Sequence, residues 1–301
     1  MVQWQKAMTT KTIPQLTRKG RDMTTKTTFA LAITLGLAAS AAQAQDCPGD
    51  LPLIEDGKLV MSINATIPPK QYIDESGNIV GLHREMGDEI ARRLCLEPDY
   101  QNVDFAVQIP GLDADRWDMI NTGLYFTDER AGFMQLVPYA VNALALIAAN
   151  DNPLGVSGPE DLAGLRVGVE IAGFEERRIN EINDAQVAKG LESMDIRVFN
   201  TYGETFLALG AGQIDAVFAG DAIGKYYQER GRFTMAVTGL YPGTPNAFAF
   251  DEPALAQAVA DVLNDMRSDG LYDELLDSYG TTKIYSWDRW PGDFAYFYTG
   301  N

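Results

Sequence analysis

The sequence predicts an α/β protein made of two units of mostly parallel sheet. Three observations carry this. After residue 57, strand-like and helix-like segments alternate, the pattern of sheets whose strands are joined through helices. Two apolar stretches, 139–149 and 246–250, interrupt that alternation at its middle and near its end. Residues 45–301 are also long enough for a large core in one or two domains.

The elements follow in order. Residues 59–63 read as a strand, and Pro68, Pro69 and Ser76-Gly77-Asn78 mark turns. Leu82, Met86, Ile90 and Leu94 recur every four residues, giving one apolar face to a helix running to about Cys95. Residues 117–121 are the next strand, followed by Gly123 and a helix start at Thr127. The apolar stretch 139–149 breaks at Asn150-Asp151-Asn152-Pro153 and reads as a long strand leaving the first unit. Residues 166–170 open the second unit. Strand 197–199, helix 204–209, a turn at 210–212 and strand 215–219 continue it. Residues 246–250 form another apolar strand. Two helices, 252–267 and 271–279, come next, parted by Asp269-Gly270. The tail, 281–301, carries Tyr285, Trp287, Trp290, Phe294, Tyr296, Phe297 and Tyr298. So much aromatic surface is costly to leave in water, so the tail is expected to wrap the lobe beside the last helices.

The first segment reads as an address. Lys19, Arg21 and Lys26 precede an apolar run, 29–42, that ends in Ala42-Gln43-Ala44. These are the parts of a secretory signal peptide, covering 1–44, with Met23 an equally good start. The run is too short to span a membrane, which takes ~20 apolar residues. Cys47 lies near the cleavage site, but Ala44-Gln45-Asp46 is too polar for a lipobox. Formal net charge is −18, and because residues 1–44 hold six of the 24 Lys+Arg but one of the 42 Asp+Glu, residues 45–301 carry −23. So acidic a chain argues against nucleic acid and anionic membrane as partners.

Cys47 and Cys95 are the only cysteines, and export places them where disulfides persist. Pairing is expected in preference to two separate buried thiols. Two cysteines and the lone His83 are too few ligands for a structural zinc. His83, inside a helix-like stretch, is expected at the surface. No cofactor is expected. There is no G-x-S-x-G, no metal-ligand spacing and no Walker loop.

Several stretches, in order, resemble the polar amino-acid-binding family of periplasmic solute-binding proteins. They are Gly77-Asn78-Ile79-Val80-Gly81, then 121–130 (NTGLYFTDER) and Val137-Pro138-Tyr139. Next come 160–169 (EDLAGLRVGV), 208–217 (ALGAGQIDAV) and Asp269-Gly270-Leu271-Tyr272. The resemblance covers about 57–280. It implies the two-lobed, type II periplasmic-binding-protein fold, with a ligand cleft between lobes joined by two crossing segments. Lobe 1 would comprise 45–145 and 248–301, with the aromatic tail, and lobe 2 would comprise 146–247.

An amino acid presents a carboxylate, an ammonium and a side chain. Arg130 is the carboxylate candidate, because a guanidinium offers a planar fork of donors and stays charged. It follows Thr127, the expected N-cap, in a first helical turn whose free N–H groups favour anions. The family uses the arginine of this T-x-x-R pattern for the α-carboxylate. Asp221, after strand 215–219, stands where the family places an acid for the ammonium; an N-cap role suits it equally. Gly123 and Tyr125 match positions that offer backbone groups and a small hydroxyl, with Tyr125 replacing the usual Ser or Thr. Asn64 stands where some members carry a second aspartate. Tyr72 and Phe105 match aromatic positions that flank the ligand, or pack in the core. Ala172-Gly173-Phe174 replaces a Gly-Thr pair in lobe 2, leaving Gly173 to offer its N–H and placing Phe174 beside the site.

The function implied is the periplasmic substrate-binding component of an ABC transporter. It would be a monomer that captures an amino acid or analogue by hinge closure and hands it to a membrane permease. Two alternatives stand beside it. One is a periplasmic dehydratase on the same scaffold, with Glu170 as proton donor. The other is an accessory protein that docks on a periplasmic dehydrogenase.

Overall fold

A computed structural model of the protein describes Cys47 and residues 49–300. The expected signal peptide lies outside the described residues. Strand β1 (Lys58–Ile63) is followed by three short strands, β2 (Thr66–Ile67), β3 (Gln71–Ile73) and β4 (Ile79–Val80), which pair into a small antiparallel sheet. Helix α1 (Leu82–Arg93), strand β5 (Glu97–Asn102), helix α2 (Gln108–Asp113), strand β6 (Met119–Tyr125) and the one-turn helix α3 (Asp128–Ala131) come next. Strand β7 (Gln135–Ala148) then leads to β8 (Arg166–Glu170), α4 (Phe174–Ala188), β9 (Asp195–Phe199), α5 (Tyr202–Gly210), β10 (Ala216–Gly220) and α6 (Asp221–Glu229). The chain returns along β11 (Thr234–Phe250) and closes with α7 (Pro253–Ser268), α8 (Leu271–Ser278) and β12 (Thr282–Lys283).

The main sheet runs β5-β1-β6-β11-β7-β10-β8-β9, with β12 added on β7. β1 pairs in parallel with β5 and β6, and β8 pairs in parallel with β9 and β10. The antiparallel pair β7–β11 joins these two parallel halves, so the predicted mostly parallel units are both present. Each half has its own core. The first packs α1, α7 and α8 with β1, β6 and the near ends of β7 and β11. The second lies on both faces of its sheet, because neighbouring strand residues point opposite ways. Phe218 of β10 joins Phe174 and Ile179 of α4, while Val217 and Ala219 meet Tyr202, Phe206 and Ile223 of α5 and α6.

Helix α1 shows how sequence became packing, and where the reading was too narrow. Leu82, Met86 and Ile90 are fully buried, as their spacing predicts, but so are His83 and Ala91. The apolar stripe is two columns wide, so the expectation that His83 lies at the surface is corrected. Its Nε2 hydrogen-bonds the Tyr139 hydroxyl, and burial, reinforced by nearby Lys70, holds the ring well below its usual pKa. It is a neutral core histidine.

Other differences are in boundaries. The strand expected over 117–121 is β6, shifted toward Tyr125. Trp117 instead packs on α2, its indole N–H donating to the Gln108 carbonyl at 3.0 Å. The strand expected over 246–250 is the end of the much longer β11, whose first half has Gly239, Pro242 and Gly243 and so hid its extended character. The aromatic tail lies on the first half: Trp287 and Phe294 are buried in its core, and Phe297 bridges to Leu136. Cys47 and Cys95 form a disulfide with Cα atoms 5.7 Å apart.

Candidate ligand-binding cleft

The cleft forms where the two halves face each other. On the first, β6 delivers Tyr125, and Thr127 caps α3 by accepting from the Arg130 N–H at 3.1 Å. That cap fixes the turn that turns Arg130 inward. The Arg130 guanidinium is buried, donates to the Tyr125 carbonyl at 2.7 Å and lies 5.8 Å from the Phe105 ring centroid. Desolvation lowers its pKa to about 10, so it remains charged at neutral pH. Among the described residues it forms no ion pair.

On the second half, β8 ends at Glu170, and Ala172 takes a left-handed φ of +61° before Gly173 caps α4. This turn delivers Phe174, which stacks on Tyr125 with centroids 4.9 Å apart and planes 27° apart. The ring pair divides the cleft. Outside it is a cavity of ≈ 390 Å³ lined by Thr127, Arg130 and Phe133 on one side and by Gly173, Phe174 and Arg177 on the other. Inside it is a cavity of ≈ 50 Å³ lined by Lys70, Gly123, Tyr125, Asn142, Glu175 and Tyr202, among others.

The inner compartment is dense with polar groups. Lys70 is buried, and its ammonium donates to Asn246 Oδ1 at 3.0 Å. Asn246 also hydrogen-bonds Asn142, and donates to the Gly123 carbonyl at 2.8 Å. Burial lowers the Lys70 pKa to about 8, partly offset by Asp221 and Glu175. Burial raises that of Glu175. The Tyr202 hydroxyl feels the charges of Glu175 and Glu170 yet makes no hydrogen bond of good geometry. Gly123 is required here: its φ is +75°, and a Cβ would come within 2.8 Å of the His83 ring.

The two halves touch at several points. Asn64 Nδ2 donates to Glu170 Oε1 at 2.8 Å, Arg177 bonds Glu129 at 3.0 Å, and the rings of Tyr72 and Tyr226 lie 5.9 Å apart. Of the residues singled out in the sequence, Arg130, Gly173 and Phe174 line the outer compartment, and Gly123 and Tyr125 the inner. Phe105 lies behind Arg130, while Asn64 and Tyr72 make contacts between the halves. Asp221 opens α6, half-buried, and lines neither compartment; the cap position belongs to Gly220. Glu170 is buried with its pKa raised to about 8, mainly by desolvation, and lines neither compartment.

The sequence reading missed Lys70, Glu175, Asn142, Tyr202 and Asn246. One signal for Lys70 was present in Gly81, whose φ is +116° and whose absent Cβ would sit 2.5 Å from the Lys70 carbonyl. That close approach anchors the Lys70 backbone. Glu175 had no such mark, because acids in a first helical turn are ordinary.

The family model for bacterial extracellular solute-binding proteins, family 3, matches residues 59–282. The chain belongs to this family. As a family 3 solute-binding protein it is two-lobed, and the cleft just described lies between its lobes. It is 26% identical over 231 residues to the arginine-binding protein ArgT of Corynebacterium glutamicum, covering 76% of each chain. It is 25% identical over 274 residues to the lysine/arginine/ornithine-binding periplasmic protein of Escherichia coli K12, covering 86% of this chain and 98% of that one. Among solved structures, a mutant of ArgBP from T. maritima superposes with a TM-score of 0.66 at 25% identity, covering 74% of this chain and 95% of that one. An ancestral amino acid-binding protein described as a precursor of cyclohexadienyl dehydratase has the same fold, with a TM-score of 0.66 at 23% identity over 74% of this chain and 95% of its own.

Proposed function

We propose that this solute-binding protein captures an amino acid or close analogue in the periplasm and presents it to the membrane permease of an ABC transporter. The observation that carries the reading is Arg130. A buried guanidinium with no ion pair, facing a cavity between lobes, is costly unless an anion joins it. A ligand α-carboxylate would meet that fork in a bidentate pair. Gly173, across the same cavity, would add its backbone N–H, and Asp221 would take the ammonium. Closure of the lobes would then bury the ligand. The relatives named above for binding arginine, lysine and ornithine support the amino-acid class.

A thermal-shift panel of amino acids, opines, betaines and polyamines tests this. A ligand at 100 times its Kd adds about 2.7 kcal/mol, a rise of roughly 5–10 °C for a protein of this size. A shift with amino acids that Arg130→Ala removes supports the reading. A flat response across the panel from refolded protein would sink it.

The raised pKa of Glu170 is a property that a proton donor needs, which favours the dehydratase as second reading. Against it, Glu170 accepts from Asn64 and lines neither compartment. Turnover of a prephenate-type substrate by the protein, lost in Glu170→Gln, would reverse that order.

A further inference from the structure

We propose that Lys70 is a second anion-binding group, so that the ligand is an amino acid carrying two carboxylates. This rests on the amino-acid reading above and narrows it. Lys70 and Arg130 are the buried lysine and arginine among the described residues, and both face the cleft. Neither forms an ion pair there. Arg130 donates to a carbonyl and Lys70 to an amide oxygen, leaving donors of each cation uncommitted. A protein keeps two such cations dry when something of opposite charge arrives to join them.

The two compartments set the ligand's dimensions. The inner space, ≈ 50 Å³, is large enough for a carboxylate or about one or two waters. A cationic side chain there would meet the Lys70 ammonium at low dielectric, opposed by Glu175 in the same lining, whose charged form burial disfavours. A carboxylate there would accept from Lys70 and from the Tyr202 hydroxyl, which is buried beside Glu175 and makes no hydrogen bond of good geometry. Glu175 completes the pattern. It lines the inner space, lies close enough to both cations to be felt by each, and is placed to receive the ligand ammonium, with Asp221 near enough to Lys70 to be felt by it. Two cations for two carboxylates and acids for one ammonium describe an amino-dicarboxylate such as aspartate or glutamate. Tyr125 and Phe174 come from opposite lobes, so opening the cleft separates them and lets the carbon chain pass between compartments.

Calorimetric titration of refolded protein with L-glutamate, L-aspartate, L-glutamine, L-asparagine and L-arginine tests the proposal. The better acid is expected to bind at least tenfold more tightly than its amide, about 1.4 kcal/mol. Lys70→Gln and Lys70→Met, each checked for a cooperative melt, should erase that margin, and Arg130→Ala should lower affinity for acid and amide alike. An amide or arginine bound as tightly as the acids, or an acid margin that survives both Lys70 substitutions, overturns this proposal and leaves the amino-acid reading standing. No binding by any of the five overturns the proposal, and the panel above then decides the wider reading.

Discussion

The outer and inner compartments of the cleft are built in opposite ways. The outer one hangs on a local device: within a single turn, Thr127 caps α3 and Arg130 folds back on the Tyr125 carbonyl. The inner one gathers Lys70, Asn142, Glu175, Tyr202 and Asn246 from five separate places in the chain. The difference teaches where a site resists repair. A local device is lost with one residue, whereas a distributed network passes the loss of one member to the rest.

Arg130→Ala should therefore have the largest effect. Removing one partner of a buried charge pair costs about 2–5 kcal/mol of binding, read by calorimetry as a loss of at least thirtyfold. Affinity retained within tenfold would shift the weight of recognition to the inner compartment.

The pH dependence of stability tests the contact between the lobes. Glu170 has its pKa raised from the usual 4.5 to about 8, so between those values the folded protein holds a proton that the unfolded chain has released. The Glu170 contribution to stability then falls as pH rises through that window, by at most about 1.4 kcal/mol per pH unit, while His83, buried and held well below its usual 6.5, contributes in the opposite sense up to that value. Glu175 is shifted in the same direction, so Glu170→Gln should flatten part of the slope in melts from pH 5 to 7.5. An unchanged slope would place the linkage elsewhere. The window stops below pH 8 because Lys70, with its depressed pKa, begins to favour the folded state as pH rises further.

Phe174→Leu should cost less. It keeps most of the apolar bulk and loses the stack on Tyr125, worth about 0.5–1.5 kcal/mol, in urea unfolding of the ligand-free protein. A larger loss would show that the packing of Phe174 with Phe218 and Ile179 in the second core outweighs the stack. Arg177→Ala should have the smallest effect. Its bond to Glu129 is exposed on both sides, and such pairs contribute about 0–1 kcal/mol; a clear change in ligand affinity would instead implicate Arg177 in the outer compartment.

The same contrast explains what was legible in the sequence. Motifs and periodicity are local, and they located the two parallel units, the face of α1 and the capped turn that carries Arg130. His83 was misplaced because a spacing of four marks one column of a helix face, and the second column is set by what packs against it. β11 was read short because its glycines and prolines mask an extended strand that pairing with β7 imposes. Lys70 and Glu175 carried little local signal, since their importance comes from facing each other across a gap that only the folded chain creates.

The two connections between lobes are themselves neighbours in one ladder. Opposite residues 142–147 of β7, the pairing of β11 slips repeatedly between Met235 and Thr244, with Gly239, Tyr241 and Gly243 at positive φ. Beyond this stretch the ladder is buried from Asn246 to Phe250, with one further slip after Asn246, and half-buried along β11 at Thr234 and Met235. If the lobes close on a ligand as proposed, a ribbon paired at both ends and slipped in its middle would serve as a leaf spring, bending where the rungs are missing. Its stiffness would then be set by how many rungs the middle of the ladder leaves out.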